Sequence, residues 1–115
     1  MQKGILLVNL GSPNSFAVKD IKSYLKEFLM DGRVIDLPYW LRYLLVNGII
    51  LNVRPPKTSK AYQKIWWEEG SPLIVISQRL TDKVQAEVSA PVVMAMRYGN
   101  PSIESGLEAL HAKGV

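Results

Sequence analysis

Two continuous apolar runs lie far apart along the chain. Residues 4–9 are apolar up to Asn9 without alternation, and residues 91–96 repeat this pattern near the other end. Runs of this length are typical of strands that are covered on both faces, as in a parallel sheet. Glycine and proline follow both runs, within residues 11–13 and 97–101. We therefore predict two buried strands that end in loops.

Helical periodicity fills most of the chain between and after these runs. Apolar residues recur at helical spacing after Ser15 and Ser71, which are good N-cap residues, and again over residues 102–112. Pro72 suits the first position of its helix, and Pro38 can open another. The order of strand, helices, strand and helix predicts an α/β domain with parallel strands. Because a parallel sheet usually has more than two strands, we expect the chain to be a truncated part of a longer protein.

Residues 33–56 depart from this pattern. The segment from Leu37 onward is apolar nearly all round and includes Tyr39, Trp40 and Tyr43. These side chains either belong to the core or form an exposed lip for a ligand, a partner or a membrane surface. The longest apolar tract, 37–53, is too short to cross a bilayer, which takes about 20 residues.

The segment from Arg54 to Lys57 contains two consecutive prolines. It predicts an extended turn, because a residue that precedes proline avoids the helical region and proline donates no backbone hydrogen bond. A further helix is predicted over residues 59–66.

Composition excludes several classes of site. The chain of 115 residues has no cysteine and one histidine, His111, so it lacks thiolate sites and the usual ligands of a zinc centre. It contains neither G-x-G-x-x-G nor a P-loop motif, which disfavours a nucleotide enzyme. The net charge is +4, but the basic residues are spread over amphipathic helices, so we expect no nucleic-acid partner.

The loops after the two predicted strands are the first candidates for a binding site, because ligands of open α/β sheets bind at the carboxyl ends of the strands. If the strands are neighbours, Leu10 and Arg97–Tyr98 line one crevice with an apolar side chain, a cation and an aromatic ring. Ordinary turns are the alternative. Arg54 is held beside the apolar segment and suits a carboxylate of an amphipathic anion, with a plain surface arginine as the alternative.

Six short motifs together resemble one family, the N-terminal part of ferrochelatase, which inserts ferrous iron into protoporphyrin IX to form haem. Each motif is weak evidence alone, but six in the family's order are strong. In chain order they are LVNLGSP (7–13), FLMD (28–31) leading to VIDLP (34–38), RPPK (54–57), AYQKI (61–65), GSPL (70–73) and MRYGNP (96–101).

The resemblance implies that residues 1–115 form a partial N-terminal domain of the Rossmann-like chelatase type, with a hydrophobic lip over about 33–56. Arg54 would face a porphyrin propionate, and Tyr62 and Ser71 would add polar contacts. The porphyrin-binding positions implied are Leu10, Arg54, Tyr62, Ser71, Arg97 and Tyr98.

The same resemblance places the family's catalytic histidine and its acidic partner beyond Val115, and His111 does not match that motif. We therefore expect no catalytic residue, metal ligand or bound cofactor in this chain, with ferrous iron a substrate of the full-length enzyme. The fragment alone is expected to be inactive.

The expected partner is protoporphyrin IX or a related porphyrin such as coproporphyrin, with peripheral membrane contact through residues 37–53. Because no targeting segment is apparent, a cytoplasmic protein at the periphery of the inner membrane is expected. Two alternatives stay open, namely a non-enzymatic tetrapyrrole-binding module and a peripheral membrane or partner-binding domain.

Overall fold

The computed structural model describes residues 2–115, which form two compact units. The helical unit is Pro13–Glu68, and the sheet unit is the chain up to Ser12 together with Glu69–Val115. The sheet unit contains β1 (Ile5–Ser12), α4 (Pro72–Glu87), β2 (Val92–Gly99) and α5 (Ile103–Ala112). The helical unit contains α1 (Val18–Leu29), α2 (Tyr39–Leu45), a π-helical segment (Val46–Ile50) and α3 (Leu51–Ile65).

The sheet consists of β1 and β2, which pair in parallel from Ile5 opposite Val92 to Ser12 opposite Gly99. The prediction of an α/β fold with parallel strands is confirmed. Both strands run three residues further than predicted, because backbone pairing continues through the glycines at their ends. Leu10, Arg97 and Tyr98 therefore lie within the strands, and their assignment to the following loops is corrected.

Helices α4 and α5 pack on opposite faces of the sheet. Side chains of α4 share a small cavity with Leu7 and Met94, whereas Gly106 of α5 lies against Leu6 and Ala95. Successive residues of a strand point to opposite faces, so these contacts separate the two helices. Helices on both faces are the arrangement of a doubly wound fold, in which ligands bind at the carboxyl edge of the sheet.

The N-terminus of α1 differs from the prediction that Ser15 caps it. The helix begins at Val18, and the backbone conformation of an N-cap falls on Ala17. The Ser15 hydroxyl instead donates to the Asp20 carboxylate at 2.6 Å and accepts the Ala17 N–H at 3.1 Å. Ser15 therefore orders the approach to the helix without being its cap.

The prediction of an extended turn at Arg54–Lys57 is wrong, as is a separate helix over 59–66. Both prolines lie inside α3, which runs unbroken to Ile65. Proline's fixed φ is close to the helical value, and its cost is the missing backbone donor and steric crowding of the preceding turn. Pro55 is fully buried in the core of the helical unit, so its packing offsets that cost.

The π-helical segment joins α2 to α3 without a break. Its first residue, Val46, is fully buried. The wider turn disturbs the normal backbone hydrogen bonds, and the Asn52 amide donates to the carbonyls of Asn47 at 3.3 Å and Gly48 at 3.0 Å. Single π-helical turns within α-helices are frequent at functional sites.

We predict that Gly11→Ala destabilises the protein strongly, by roughly 2–4 kcal/mol or enough to prevent folding. A Cβ at Gly11 would lie 1.9 Å from the Tyr98 carbonyl oxygen, and its φ of +126° is unfavourable for alanine. Gly48→Ala is the matched control, because no atom lies within 4 Å of its added Cβ. In a helix this change stabilises by about 0.5–1 kcal/mol. Urea unfolding measures both, and equal stabilities of the two variants would contradict the role of Gly11.

Candidate functional site

Leu10 and Arg97 lie side by side at the carboxyl edge of the sheet. Their preceding residues, Asn9 and Met96, are register partners, as are the residues that follow them. Side chains at paired positions of a parallel sheet point to the same face. Leu10 is 50% exposed, and Arg97 is also exposed. The edge therefore presents an apolar side chain beside a cation, the pairing that the sequence predicts if the strands are neighbours.

Tyr98 is the buried residue that follows Arg97 in β2. Its side chain is buried, with 5% of the residue exposed, and the Arg97 guanidinium lies 4.7 Å from the centroid of its ring. A cation over an aromatic face is attracted by the ring quadrupole. The contact limits where the guanidinium can lie, so Tyr98 is placed to orient Arg97 more than to present a surface of its own.

Ser71 lies at the N-terminus of α4, on the side of the sheet that α4 covers, whereas alternation along the strands points Leu10 and Arg97 to the α5 side. The Asn9 amide donates to the Ser77 hydroxyl at 3.3 Å, which places the second turn of α4 beside the end of β1. Ser71 precedes Ser77 by six residues, or about 9 Å of helix. As predicted, Ser71 is the N-cap residue of α4, although it makes no side-chain cap hydrogen bond and is only 6% exposed.

Ser12 is a polar residue at the carboxyl end of β1, and it is not among the six binding positions predicted from the sequence. It ends β1, it is buried, and its hydroxyl has no hydrogen-bond partner within residues 2–115. A buried hydroxyl without a partner is uncommon in folded proteins. The feature of the sequence that could have indicated Ser12 as a site residue was its position at the end of the first strand.

Arg54 belongs to the helical unit, on α3. It lines a shallow groove of about 320 Å³ with Ile49, Ile50, Val53 and Lys57. The groove therefore combines aliphatic walls with two cations, which suits an amphipathic anion. As expected, Arg54 lies beside an apolar surface. It is held there by a helix and not by the predicted proline turn.

Tyr62 lies two turns after Arg54 on the same helix. Its ring meets Trp66 edge-on with the centroids 6.1 Å apart, and Trp66 in turn meets Phe16 at 5.9 Å. Desolvation by burial raises the pKa of the Tyr62 phenol above its ordinary value. Since eight residues correspond to about 80° of rotation around a helix, Tyr62 and Arg54 point in different directions.

The apolar tract from Leu37 presents its aromatic residues to solvent. Tyr39, Trp40, Tyr43 and Leu44 line an open groove of about 350 Å³, and Trp40 is 65% exposed. These side chains are therefore exposed and do not belong to the core of the described residues, and their use as a lip for a ligand, a partner or a membrane stays a prediction. No helix in residues 2–115 is both long and apolar enough to cross a membrane.

Within the described part of the chain, no three His, Cys, Asp or Glu side chains are grouped so that they could hold a metal ion. His111 is exposed in the last turn of α5. Of the six predicted positions, the structure brings Leu10, Arg97 and Tyr98 together at the carboxyl edge of the sheet, and Ser71 lies in the same unit at the N-terminus of α4. Arg54 and Tyr62 lie on α3 of the helical unit. Their joint role in binding stays a prediction.

Comparison with known proteins gives a consistent result. The family model described as Ferrochelatase matches residues 2–115. A ferrochelatase of Vibrio atlanticus is 46% identical over 114 residues, covering 99% of this chain and 36% of the relative. Ferrochelatase 1 of Shewanella oneidensis is 51% identical over 117 residues, with 96% and 35% covered. One from Pseudomonas fluorescens strain Pf-5 is 58% identical over 112 residues, with 96% and 32% covered. The chain thus spans about a third of the length of these curated relatives.

We predict that the Tyr62 phenol loses its proton later than it would in the unfolded chain. The stability associated with this group is then complete below the unfolded-state pKa of about 10 and is lost as the pH rises through the higher folded-state pKa. Near-ultraviolet absorbance during alkaline titration should show a late phenolate component that Tyr62→Phe removes. The matched change Tyr39→Phe, at an exposed ring, should leave that component unchanged. Its persistence in Tyr62→Phe would contradict this assignment.

Proposed function

Because the chain belongs to the ferrochelatase family, we propose that the protein containing it inserts ferrous iron into protoporphyrin IX or a related porphyrin. This chain contributes part of the porphyrin-binding surface in that proposal. The observation that carries it is the family match over residues 2–115, together with a cation beside an exposed apolar side chain at the carboxyl edge of the sheet.

The chemistry of a porphyrin agrees with the surfaces described above. The macrocycle is flat and apolar and carries carboxylate side chains, so its binding site requires apolar walls and a few placed cations. Leu10 with Arg97 supplies one apolar side chain and one guanidinium, and Arg54 supplies a second guanidinium at the border of the apolar tract. Guanidinium binds carboxylate through two parallel hydrogen bonds, which sets orientation as well as affinity. Arg54 is our candidate for a propionate, with Tyr62 and Ser71 as further polar contacts.

Metal insertion breaks two pyrrole N–H bonds, releases two protons and forms bonds from the four ring nitrogens to Fe²⁺, which keeps its oxidation state. Bending the macrocycle exposes the nitrogen lone pairs, and that distortion must be offset by binding energy elsewhere on the molecule. In this proposal the described residues bind and orient the porphyrin. Groups outside this chain accept the protons and deliver the metal, so the chain alone binds porphyrin without metal insertion.

A second proposal concerns the lip. Exposed Tyr39, Trp40 and Leu44 form an apolar surface with few polar neighbours, and such surfaces commonly contact a membrane or a partner. We propose that residues 37–53 rest on the membrane surface, with aromatic side chains at the level of the headgroups. This contact would hold the protein at the cytoplasmic face of the inner membrane, close to an apolar substrate.

The first test measures insertion of Zn²⁺ into a porphyrin by the full-length protein. We expect Arg54→Ala to raise KM for a dicarboxylic porphyrin by about 10- to 100-fold. This factor corresponds to the free energy that one hydrogen bond to a charged group contributes. Arg33→Ala removes a guanidinium from the same unit whose side chain is 84% exposed, and it should change little.

The dimethyl ester of the same porphyrin provides a second control. Without a carboxylate to bind, wild type and Arg54→Ala should perform alike on the ester. An equal loss on acid and ester would show that Arg54 acts through folding. If the full-length protein binds porphyrin but inserts no metal, the non-enzymatic module is the correct alternative.

The second test is flotation of the full-length protein with liposomes. We expect Trp40→Asp/Leu44→Asp to abolish flotation, because two charges would enter the apolar lip surface. Ile76→Asp/Leu107→Asp places two charges on exposed apolar positions of α4 and α5 and is the matched control. Loss of flotation in the control alone would contradict the proposed contact through the lip.

A further inference from the structure

A single stripe of residues runs along the solvent side of the π-helical segment and α3. Its members follow one another at intervals of four, four, three and four residues, which keeps them on one helical face. They are Ile49, Val53, Lys57, Lys60 and Lys64, and all are exposed. The opposite face of α3 carries the buried residues Leu51 and Pro55. The stripe therefore points away from the core of its unit.

The charge of this region is entirely positive. Between Asp36 and Glu68 the sequence contains five cations and no acidic residue. Within residues 2–115 none of Lys57, Lys60 and Lys64 takes part in an ion pair, since the pairs described involve other residues. The three lysines, which we call the lysine stripe, thus present uncompensated charge to solvent.

The stripe changes character along its length. Its first two members, Ile49 and Val53, are each 59% exposed, and in the sequence they follow the exposed aromatic residues of the lip. The three lysines follow. A lysine side chain can lay its aliphatic stem on an apolar layer while its ammonium group reaches a polar one. At the surface of a bilayer, the two apolar side chains of the stripe could contact the hydrocarbon layer while the lysines reach the headgroups.

We propose that the lysine stripe binds anionic phospholipid headgroups and gives the protein a preference for negatively charged membranes. This inference rests on the proposed membrane contact of the lip. A nucleic acid or an acidic protein surface would match the lysines, but it would leave the adjoining Ile49 and Val53 without an apolar partner. An anionic bilayer satisfies both parts of the stripe. Arg54 lies beside the stripe on α3. We do not include it among the lipid-binding residues, because our proposal assigns it to a porphyrin carboxylate.

The test compares binding of the full-length protein to phosphatidylcholine vesicles with and without phosphatidylglycerol. Each basic residue near an anionic surface contributes roughly fivefold in affinity, so Lys57→Gln/Lys60→Gln/Lys64→Gln should lose on the order of 100-fold on the anionic vesicles. Binding to neutral vesicles should stay as in wild type. The loss should shrink at high salt, because salt screens exposed charges.

The matched control removes the same charge from the sheet unit. Lys3→Gln/Lys83→Gln/Lys113→Gln changes three exposed lysines and should keep the preference for anionic vesicles. An equal loss in this control would assign the effect to net charge and overturn the inference. Because Lys64 also complements the dipole at the end of α3, circular dichroism must show equal helix content in both variants.

The remaining outcomes separate this inference from the membrane proposal. Wild-type protein that binds both vesicle types equally would overturn the role of the lysine stripe and leave the lip contact intact. Wild-type protein that binds neither would overturn both. Binding to heparin without binding to vesicles, lost in the stripe variant, would show that the partner is a soluble polyanion, which contradicts the inference.

Discussion

The close approach of Gly11 to Tyr98 allows the two strands to pair up to their carboxyl ends. The Tyr98 carbonyl occupies the space in which any side chain at residue 11 would lie. Without that approach the pairing would stop near Asn9 and Met96, and Leu10 would not lie beside Arg97. One backbone contact therefore determines whether the edge presents a cation next to an apolar side chain.

Packing within the helical unit has a comparable effect on α3. The buried Val46 and Pro55 hold the π-helical segment and α3 in one continuous helix despite two prolines. Continuity places Ile49, Val53 and the lysine stripe on one helical face, whereas an extended turn would have separated them. It also sets Arg54 and Tyr62 on one rigid element, so their separation is defined by helical geometry. The site proposals for this unit depend on that continuity.

Several parts of the fold and site followed from local sequence. The unbroken apolar runs predicted both strands, and the Ser–Pro sequence at 71–72 predicted the start of α4, because these patterns depend on neighbouring residues alone. The pairing of Leu10 with Arg97 required one further assumption, that the strands are adjacent. The burial of Tyr98 and the unpartnered hydroxyl of Ser12 were not predictable in this way, since both arise from chain segments brought together by folding.

The amino-acid sequence alone determined the α/β class, the candidate residues and the family resemblance, because apolar periodicity and short motifs are local properties. Tertiary structure decided that Arg54 lies in a helix, that the aromatic lip is exposed, and that the lysines of α3 form one face. The physical reason is that a proline in a helix has a local cost, whereas the packing of Pro55 that offsets it comes from distant parts of the chain. Local preference and long-range packing disagreed at that point, and packing prevailed.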